Sequence, residues 1–488
     1  MNDSNDAADS ILVDYNPYLR LKLSELLQQM PSDEVSLLDF ITAVLHKLKF
    51  DFVTPVKRLE ILEKINPLLD GYAIEQRHAQ VRQASTIVDK LSAGSVLDAT
   101  QFEIAKIYAS LFNGEQAFSG HQDDLGARTL AMHRVAHHLT QLQIWYSQMY
   151  CVIPDNVWSL LHRTYQLAES NNIETIPLSL DTTVDFTRLT LEQRYKRCLL
   201  MAIANTSRMQ FQEINTLLGL FEEWSSFVMI TRPANRADLF SFDLTRDQGP
   251  SYQSFTQRES ADTGASIDLS HLIPLLEKAH AAAQQSPTGE FVSNGIAVDE
   301  SLLKRLILTW TTKPTRQFTR IPETGSVRIC TTLFAEPSQE EQACEVWDMI
   351  NTSPDGYCLM KQRDFPLGLE AGMLVRLQES SENRLQWPVG IIRWIRVEDD
   401  NVVQIGTQLL APRANLVEIG QAEHWRPALL LPKVLGIGQP ATLLIPTIVG
   451  KVGDIVEVSN SASEYTVKLT KRFELNADYS QFQFEILS

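Results

Sequence analysis

Apolar residues recur at helical spacing through the first half of the chain and at alternate positions through its last third. Leu37, Leu38, Ile41, Val44, Leu45 and Leu48 form one helical stripe, and Leu59, Ile61, Leu62 and Ile65 a second. Pro55 separates the two, and Pro67 is expected to end the second. The same period predicts helices over about 99–113, 124–150, 156–171 and 190–225. The last carries Leu199, Leu200, Ile203, Met209, Ile214, Leu217, Leu218 and Phe221 as its core stripe. No fixed repeat is visible, so an irregular α-helical region is expected rather than a solenoid.

Between 226 and 298 the pattern is mixed. SFVMITRP and DLFSFDLT read as short strands and DLSHLIPLLEKAHAAAQ as a helix. RDQGPSYQSFTQRESADTGAS and QQSPTGEFVSNG have loop composition. DESLLKRLILTW is an amphipathic helix with Leu302, Leu303, Leu306, Ile307 and Trp310 on one face and Asp299 as its N-cap. Beyond it the period falls to two. SVRICTTLF, GYCLMKQ, MLVRLQES, LQWPVGIIRWIRVE and VVQIGTQLL predict a small antiparallel barrel. PALLLP, TLLIPTI, DIVEVS, EYTVKLT and QFQFEIL continue it as a C-terminal β extension or a separate small β-domain. The expected fold is multidomain α+β. Its divisions are a helical interaction or output domain at 1–225, a mixed connecting region at 226–298, an amphipathic helix plus barrel at 299–412, and a C-terminal β block at 413–488.

Composition narrows the function. A chain of 488 residues exceeds one core and fits roughly two to four domains. The net charge of −17 argues against sequence-blind binding to nucleic acid but leaves room for a local cationic site. The N-terminus MNDSNDAADS lacks the basic and apolar regions of a secretory signal, and RPALLLPKVLGIGQPATLLIPTIVG is too interrupted for a membrane span. The five cysteines are scattered without a CxxC pair, which fits a reducing cytoplasm.

Other chemistry is thin. His133, His137 and His138 lie on one predicted helix without an HExxH arrangement or a third ligand, and read as a helix surface or inter-helix contact rather than a metal site. His121, Asp123 and Asp124 read as a loop and N-cap. Trp145, Tyr146 and Tyr150 read as core or an interface. Glu418, Glu423 and His424 read as solvent-facing. No GxGxxG, GxxxxGK[ST] or GxSxG is present, so neither an enzyme nor a metal or cofactor is expected.

The cationic exception is TRQFTRIP, where Arg316 and Arg320 stand four apart between Pro314 and Pro322. The prolines keep the segment out of a long helix. Two guanidinium forks then suit phosphate or the O6/N7 edge of guanine. Farther on comes Asn351-Thr352-Ser353-Pro354-Asp355-Gly356, an Asn-x-Ser-x-x-Gly spacing. In its order of RxxxR and [Asp/Asn]-x-Ser-x-x-Gly, the sequence resembles the PilZ family of bacterial cyclic di-GMP receptors over about 312–412. VGIIRWIRVEDDNVVQIGTQLL, with Gly390, Arg393 and Gly406, resembles that family's closing strands.

The resemblance implies a six-stranded barrel and a cyclic di-GMP site built from Arg316, Arg320, Asn351, Ser353 and Gly356. Asn351 can donate and accept toward a guanine edge, and Ser353 adds a short donor. Gly356 would permit a positive φ or close approach of backbone to ligand. Thr315 stands where some members carry a third arginine, which implies one ligand per site. The acidic stretch AEPSQEEQACEVWD reads as a loop insertion before Asn351. The implied protein is a cytoplasmic receptor that signals through its helical domain to an unidentified protein partner. The alternative is a structural adaptor with a ligand-free barrel. A homo-oligomer is left open, and neither nucleic acid nor an integral membrane segment is implied.

Overall fold

A computed structural model of the chain describes residues 17–487 except 30, 32–33, 84–86, 114–117, 119–123, 181–187, 254–263, 287, 316–317, 332–343, 363–368, 380–387, 399–401, 422–423, 434–439, 447–449, 461–462 and 474–478. It divides into two compact units. One comprises Met1–Met149, Ile153–Ile203 and Phe221–Leu269, the other Tyr150–Val152, Ala204–Leu220 and Ser270–Ser488.

The first unit is mainly helical: α1 (Leu23–Leu26), α2 (Glu34–Phe50), α3 (Pro55–Gln83), α4 (Ile87–Ser110), α5 (Leu125–Gln148), α6 (Val157–Ser170) and α7 (Leu191–Ile203). Pro67 does not end α3; it lies inside it. An internal proline costs about 3 kcal/mol. Leu69 and Ala73 extend the buried stripe of Ile61, Leu62 and Ile65 past it, and Asn66 and Asp70 are buried and bonded to each other. Burying a leucine stabilises by about 1.5–3 kcal/mol, so packing overrides the local signal.

The predicted helix over 190–225 is interrupted as well. α7 stops at Ile203, Asn205 turns left-handed (φ 62°), Thr206–Arg208 form a 3-10 turn, and α8 (Phe211–Trp224) follows. Asn tolerates that conformation at a helix end, and the side chains of Asn and Ser compete for backbone hydrogen bonds. A four-stranded sheet, in the order β1 (Met229–Thr231), β4 (Gly264–Asp268), β2 (Phe240–Asp243), β3 (Ser251–Tyr252), completes this unit. β3 and β4 arise from the stretch whose polarity reads as loop; Gly264 and Ala265 lie buried in β4.

In the second unit, α9 (Ile273–Gln285) precedes a hairpin of β5 (Glu290–Ser293) and β6 (Ile296–Asp299). Its turn is Asn294-Gly295, both at positive φ (49° and 81°), the combination a type I′ turn requires. α10 (Glu300–Thr311) follows, with Asp299 capping it through Leu302 N at 2.9 Å, as expected.

β7 (Ile321–Cys330), β8 (Cys344–Ser353), β9 (Gly356–Gln362), β10 (Leu374–Glu379), β11 (Val389–Glu398) and β12 (Val402–Ala411) close into an antiparallel barrel in the order β10-β11-β12-β9-β8-β7. The acidic stretch is therefore no loop throughout, because Cys344–Asp348 belong to β8. The same register sets Cys330 opposite Cys344, and the two are joined by a disulfide that the scattered spacing does not suggest.

β13 (Asn415–Gln421), β14 (His424–Leu431), β15 (Thr442–Pro446), β16 (Ile455–Asn460), β17 (Ser463–Phe473) and β18 (Tyr479–Ile486) form a second closed barrel, so the C-terminal block is a barrel of its own. Its interior is filled by Val417, Ile419, Leu443, Val458, Leu469 and Phe482. Another apolar cluster joins Leu374, Val389, Ile391 and Ala411 of the first barrel to Leu429, Leu431 and Leu444 of the second. Among the described residues, no helix is long and apolar enough to cross a membrane.

Candidate ligand-binding site

The Asn-x-Ser-x-x-Gly stretch is the hairpin between β8 and β9. Ser353 pairs with Gly356 across the two-residue turn Pro354-Asp355, Asn351 pairs with Cys358, and a bulge follows between Asn351 and Met349. Pro354 fits because neither turn residue has a positive φ. The Ser353 hydroxyl donates to Asp355 Oδ1 at 2.8 Å, with Gly356 O 3.2 Å from the same oxygen. Leu409 N donates to Asp355 O at 2.7 Å, tying the turn to the neighbouring strand. Asn351 hydrogen-bonds the Cys358 thiol, whose pKa is raised by burial against the opposing effects of Arg320 and Asn351.

Gly356 does not take the positive φ that is one of its two expected roles. A Cβ there would lie 1.9 Å from the backbone oxygen of Thr407. The glycine is required because β12 passes directly beneath the hairpin, so the close approach is between strands. Gly406 serves similarly, since a Cβ there would fall 2.0 Å from Trp394 Nε1. The indole lies across the glycine opposite it in the β11/β12 register.

These elements border a cleft of about 500 Å³. Arg320, Asn351, Ser353 and Gly356 all line it, with Thr315, Phe318, Trp394, Gln408, Arg393 and Arg208 among their neighbours. Four of the five expected site residues thus converge. Arg316 lies outside the described residues.

Arg393 and Arg208 were not among the residues the motifs select. Arg393 rises from β11 and its Nε donates to Gln408 Oε1 at 2.6 Å. Its side chain is exposed and lines the concave cleft. Burial, reinforced by the charges of Arg208 and Arg305 and opposed by Asp355, lowers its pKa to about 10. Arg208 ends the 3-10 turn that interrupts the predicted long helix. The only local hint of it is the helix-weakening Asn205-Thr206-Ser207 before it. Arg305 of α10 holds this segment, bonding Arg208 O at 3.3 Å and pairing with buried Glu213, whose pKa burial raises.

The histidines are inter-helix contacts, not surface. All three are buried on α5. His137 Nε2 lies 3.1 Å from Asp70 Oδ1 on α3, His138 Nδ1 lies 2.7 Å from Gln101 Oε1 on α4, and His133 accepts from Arg194 on α7. Burial raises the Asp70 pKa, but His137, together with His138 and Arg134, more than offsets this and leaves it at about 2. Burial and His137 push His138 well below the usual imidazole range. The ligating atoms of Asp70, His137 and His138 lie within 4.8 Å of one another, a carboxylate–imidazole grouping that the single helix does not reveal. Trp145 is buried, and Tyr150 is buried with its hydroxyl donating to Met209 O at 2.8 Å, in keeping with core roles. Glu418 is exposed, whereas Glu423, His121 and Asp123 lie outside the described residues.

Three family models match the chain in order. They are the N-terminal domain of the cyclic-di-GMP receptor FimW at 22–235, its middle PilZ domain at 239–336 and 333–415, and its C-terminal beta-barrel domain at 414–487. The cyclic-di-GMP receptor FimW of Pseudomonas aeruginosa is 23% identical to this chain, over 88% of it and 84% of the relative. With the barrel of β7–β12, the hairpin motif and the middle-domain match all falling on the same residues, the chain is a PilZ-domain protein.

Proposed function

We propose that the protein is a receptor for cyclic di-GMP. The observation that carries the reading is the convergence of Arg320, Asn351 and Ser353 on one arginine-rich cleft in a chain of net charge −17. The printed name of the relative agrees with it. The ligand has two phosphates and two guanines. Arg316 and Arg320 supply forks for phosphate or for guanine O6/N7, each bidentate base contact being worth about 1–3 kcal/mol. Asn351 reads a base edge, Trp394 offers a face on which a purine stacks, and Ser353 exchanges its turn hydrogen bond for one to the ligand. Two such contacts with phosphate pairing reach about micromolar affinity or better. No catalytic role is assigned to any residue in this scheme.

The arginine segment follows α10 directly. Ligand would draw Arg316 and Arg320 onto the hairpin, shift α10, and so pass a signal through the helical region to a protein partner. The size of the effect is bounded by the ligand's differential affinity for the two states.

Calorimetric titration with cyclic di-GMP, GTP and cyclic GMP tests the reading. Saturable binding of cyclic di-GMP alone, weakened at least about 100-fold in an Arg316→Ala/Arg320→Ala variant that keeps its melting temperature, is expected. Absence of binding at about a hundred times micromolar ligand would leave the barrel a scaffold. Equal hydrogen-exchange protection of 299–322 with and without ligand would remove the switching step.

A further inference from the structure

The cleft has a wall that the PilZ barrel does not supply. Arg208 comes from the segment between α7 and α8, more than a hundred positions before β7 in the chain, yet lines the same cavity as Arg320 and the β8–β9 hairpin. Its placement is built. Asn205 in left-handed conformation starts the turn, and Arg305 secures the Arg208 carbonyl while its own charge is matched by Glu213. Arg393 stands close enough to Arg208 and Arg305 for their charges to help lower its pKa. Among the described residues, neither Arg208 nor Arg320 has a carboxylate partner, and the cleft's carboxylate is Asp355 in the turn. Arg208, Arg320 and Arg393 are exposed but line one concave cleft, and gathering like charges there is unfavourable unless an anion neutralises them.

We infer that Arg208 and Arg393 form a second anion subsite, which takes one phosphate of the cyclic dinucleotide while Arg320 takes the other. The inference rests on the receptor reading. It adds that the ligand is clamped between the barrel and a segment of chain from outside it. A ligand with two separated negative charges fits both subsites at once, and a mononucleotide fills one. Closure on the 204–210 segment then depends on both phosphates being present.

The test is calorimetry of the full chain with cyclic di-GMP for the parent and for Arg208→Ala, Arg393→Ala and Arg413→Ala. Arg413 is an exposed arginine that does not line the cleft, and its loss changes net charge equally. Arg208→Ala and Arg393→Ala should each weaken binding about 10- to 100-fold, the range for a charge-assisted contact, and Arg413→Ala less than about twofold. Hydrogen exchange at 204–212 should slow on ligand addition in the parent and remain unchanged in Arg208→Ala.

If Arg208→Ala melts below the parent, Arg208→Gln serves, because it keeps most of the side chain and loses the charge. A loss of affinity of at least about fivefold supports the subsite, and parental affinity overturns it. Parent binding with Arg208→Ala matching Arg413→Ala would overturn this inference and leave the receptor reading intact. No binding by the parent would overturn both.

Discussion

Gly356→Ala probes the site from below. A Cβ at this position would sit 1.9 Å from Thr407 O, 2.9 Å from Thr407 C and 3.1 Å from Gln408 Cα, all of them backbone atoms. Carbon and oxygen need about 3.2–3.5 Å, so β9 and β12 must separate by more than an ångström. No rotamer change relieves a clash with a main chain. Overpacking of this kind costs about 1–3 kcal/mol. The separation also strains the Leu409 N to Asp355 O bond of 2.7 Å, and such a bond contributes about 1 kcal/mol. The sum is a loss of about 2–4 kcal/mol.

Urea unfolding with segment-resolved hydrogen exchange at 350–362 and 402–411 reads this directly. Gly71→Ala in α3, where the added methyl meets nothing within 4 Å, is the reference and should hold or gain up to about 1 kcal/mol. Affinity for cyclic di-GMP should fall with the hairpin's displacement. If Gly356→Ala unfolds within about 0.5 kcal/mol of the parent, the argument that interstrand contact dictates this glycine is refuted.

Two further outcomes follow from packing and titration. His138 is held neutral in the folded state by burial and His137, so the unfolded chain takes up a proton near pH 6.5 that the folded chain refuses. Its contribution to stability is therefore present above that pH and lost as pH falls below it, at up to about 1.4 kcal/mol per pH unit. His138→Gln should flatten the pH dependence of the urea midpoint between about pH 6.5 and 5, and an unchanged slope would show that His138 is not the group responsible. Leu431→Ala, at a fully buried position in the cluster shared by the two barrels, should cost about 2–4 kcal/mol in urea unfolding, and a loss below about 1 kcal/mol would show that the cluster contributes little.

Local signals identified what depends on local geometry. Period-two alternation marked most strands of both barrels, and Asp299 marked the start of α10. These are relations between residues a few positions apart, where side-chain alternation and turn chemistry dominate. The Asn294-Gly295 turn was equally legible by that logic, although its surroundings read as loop.

Distant packing decided the rest. Pro67 stays inside α3 because Leu69 and Ala73 are buried beyond it. Gly356 is needed by Thr407, fifty-odd positions away on a strand that only barrel closure brings beneath it. Arg208 looks like one more polar residue in a helical stretch until the break at Asn205 aims its segment at the cleft. Alternation and helical period report which face of an element is buried, and Arg320 with the Asn-x-Ser-x-x-Gly residues marks one wall of the cleft. The opposite wall depends on which remote segments meet across the cleft, and that is fixed by the summed burial of side chains far apart in the chain.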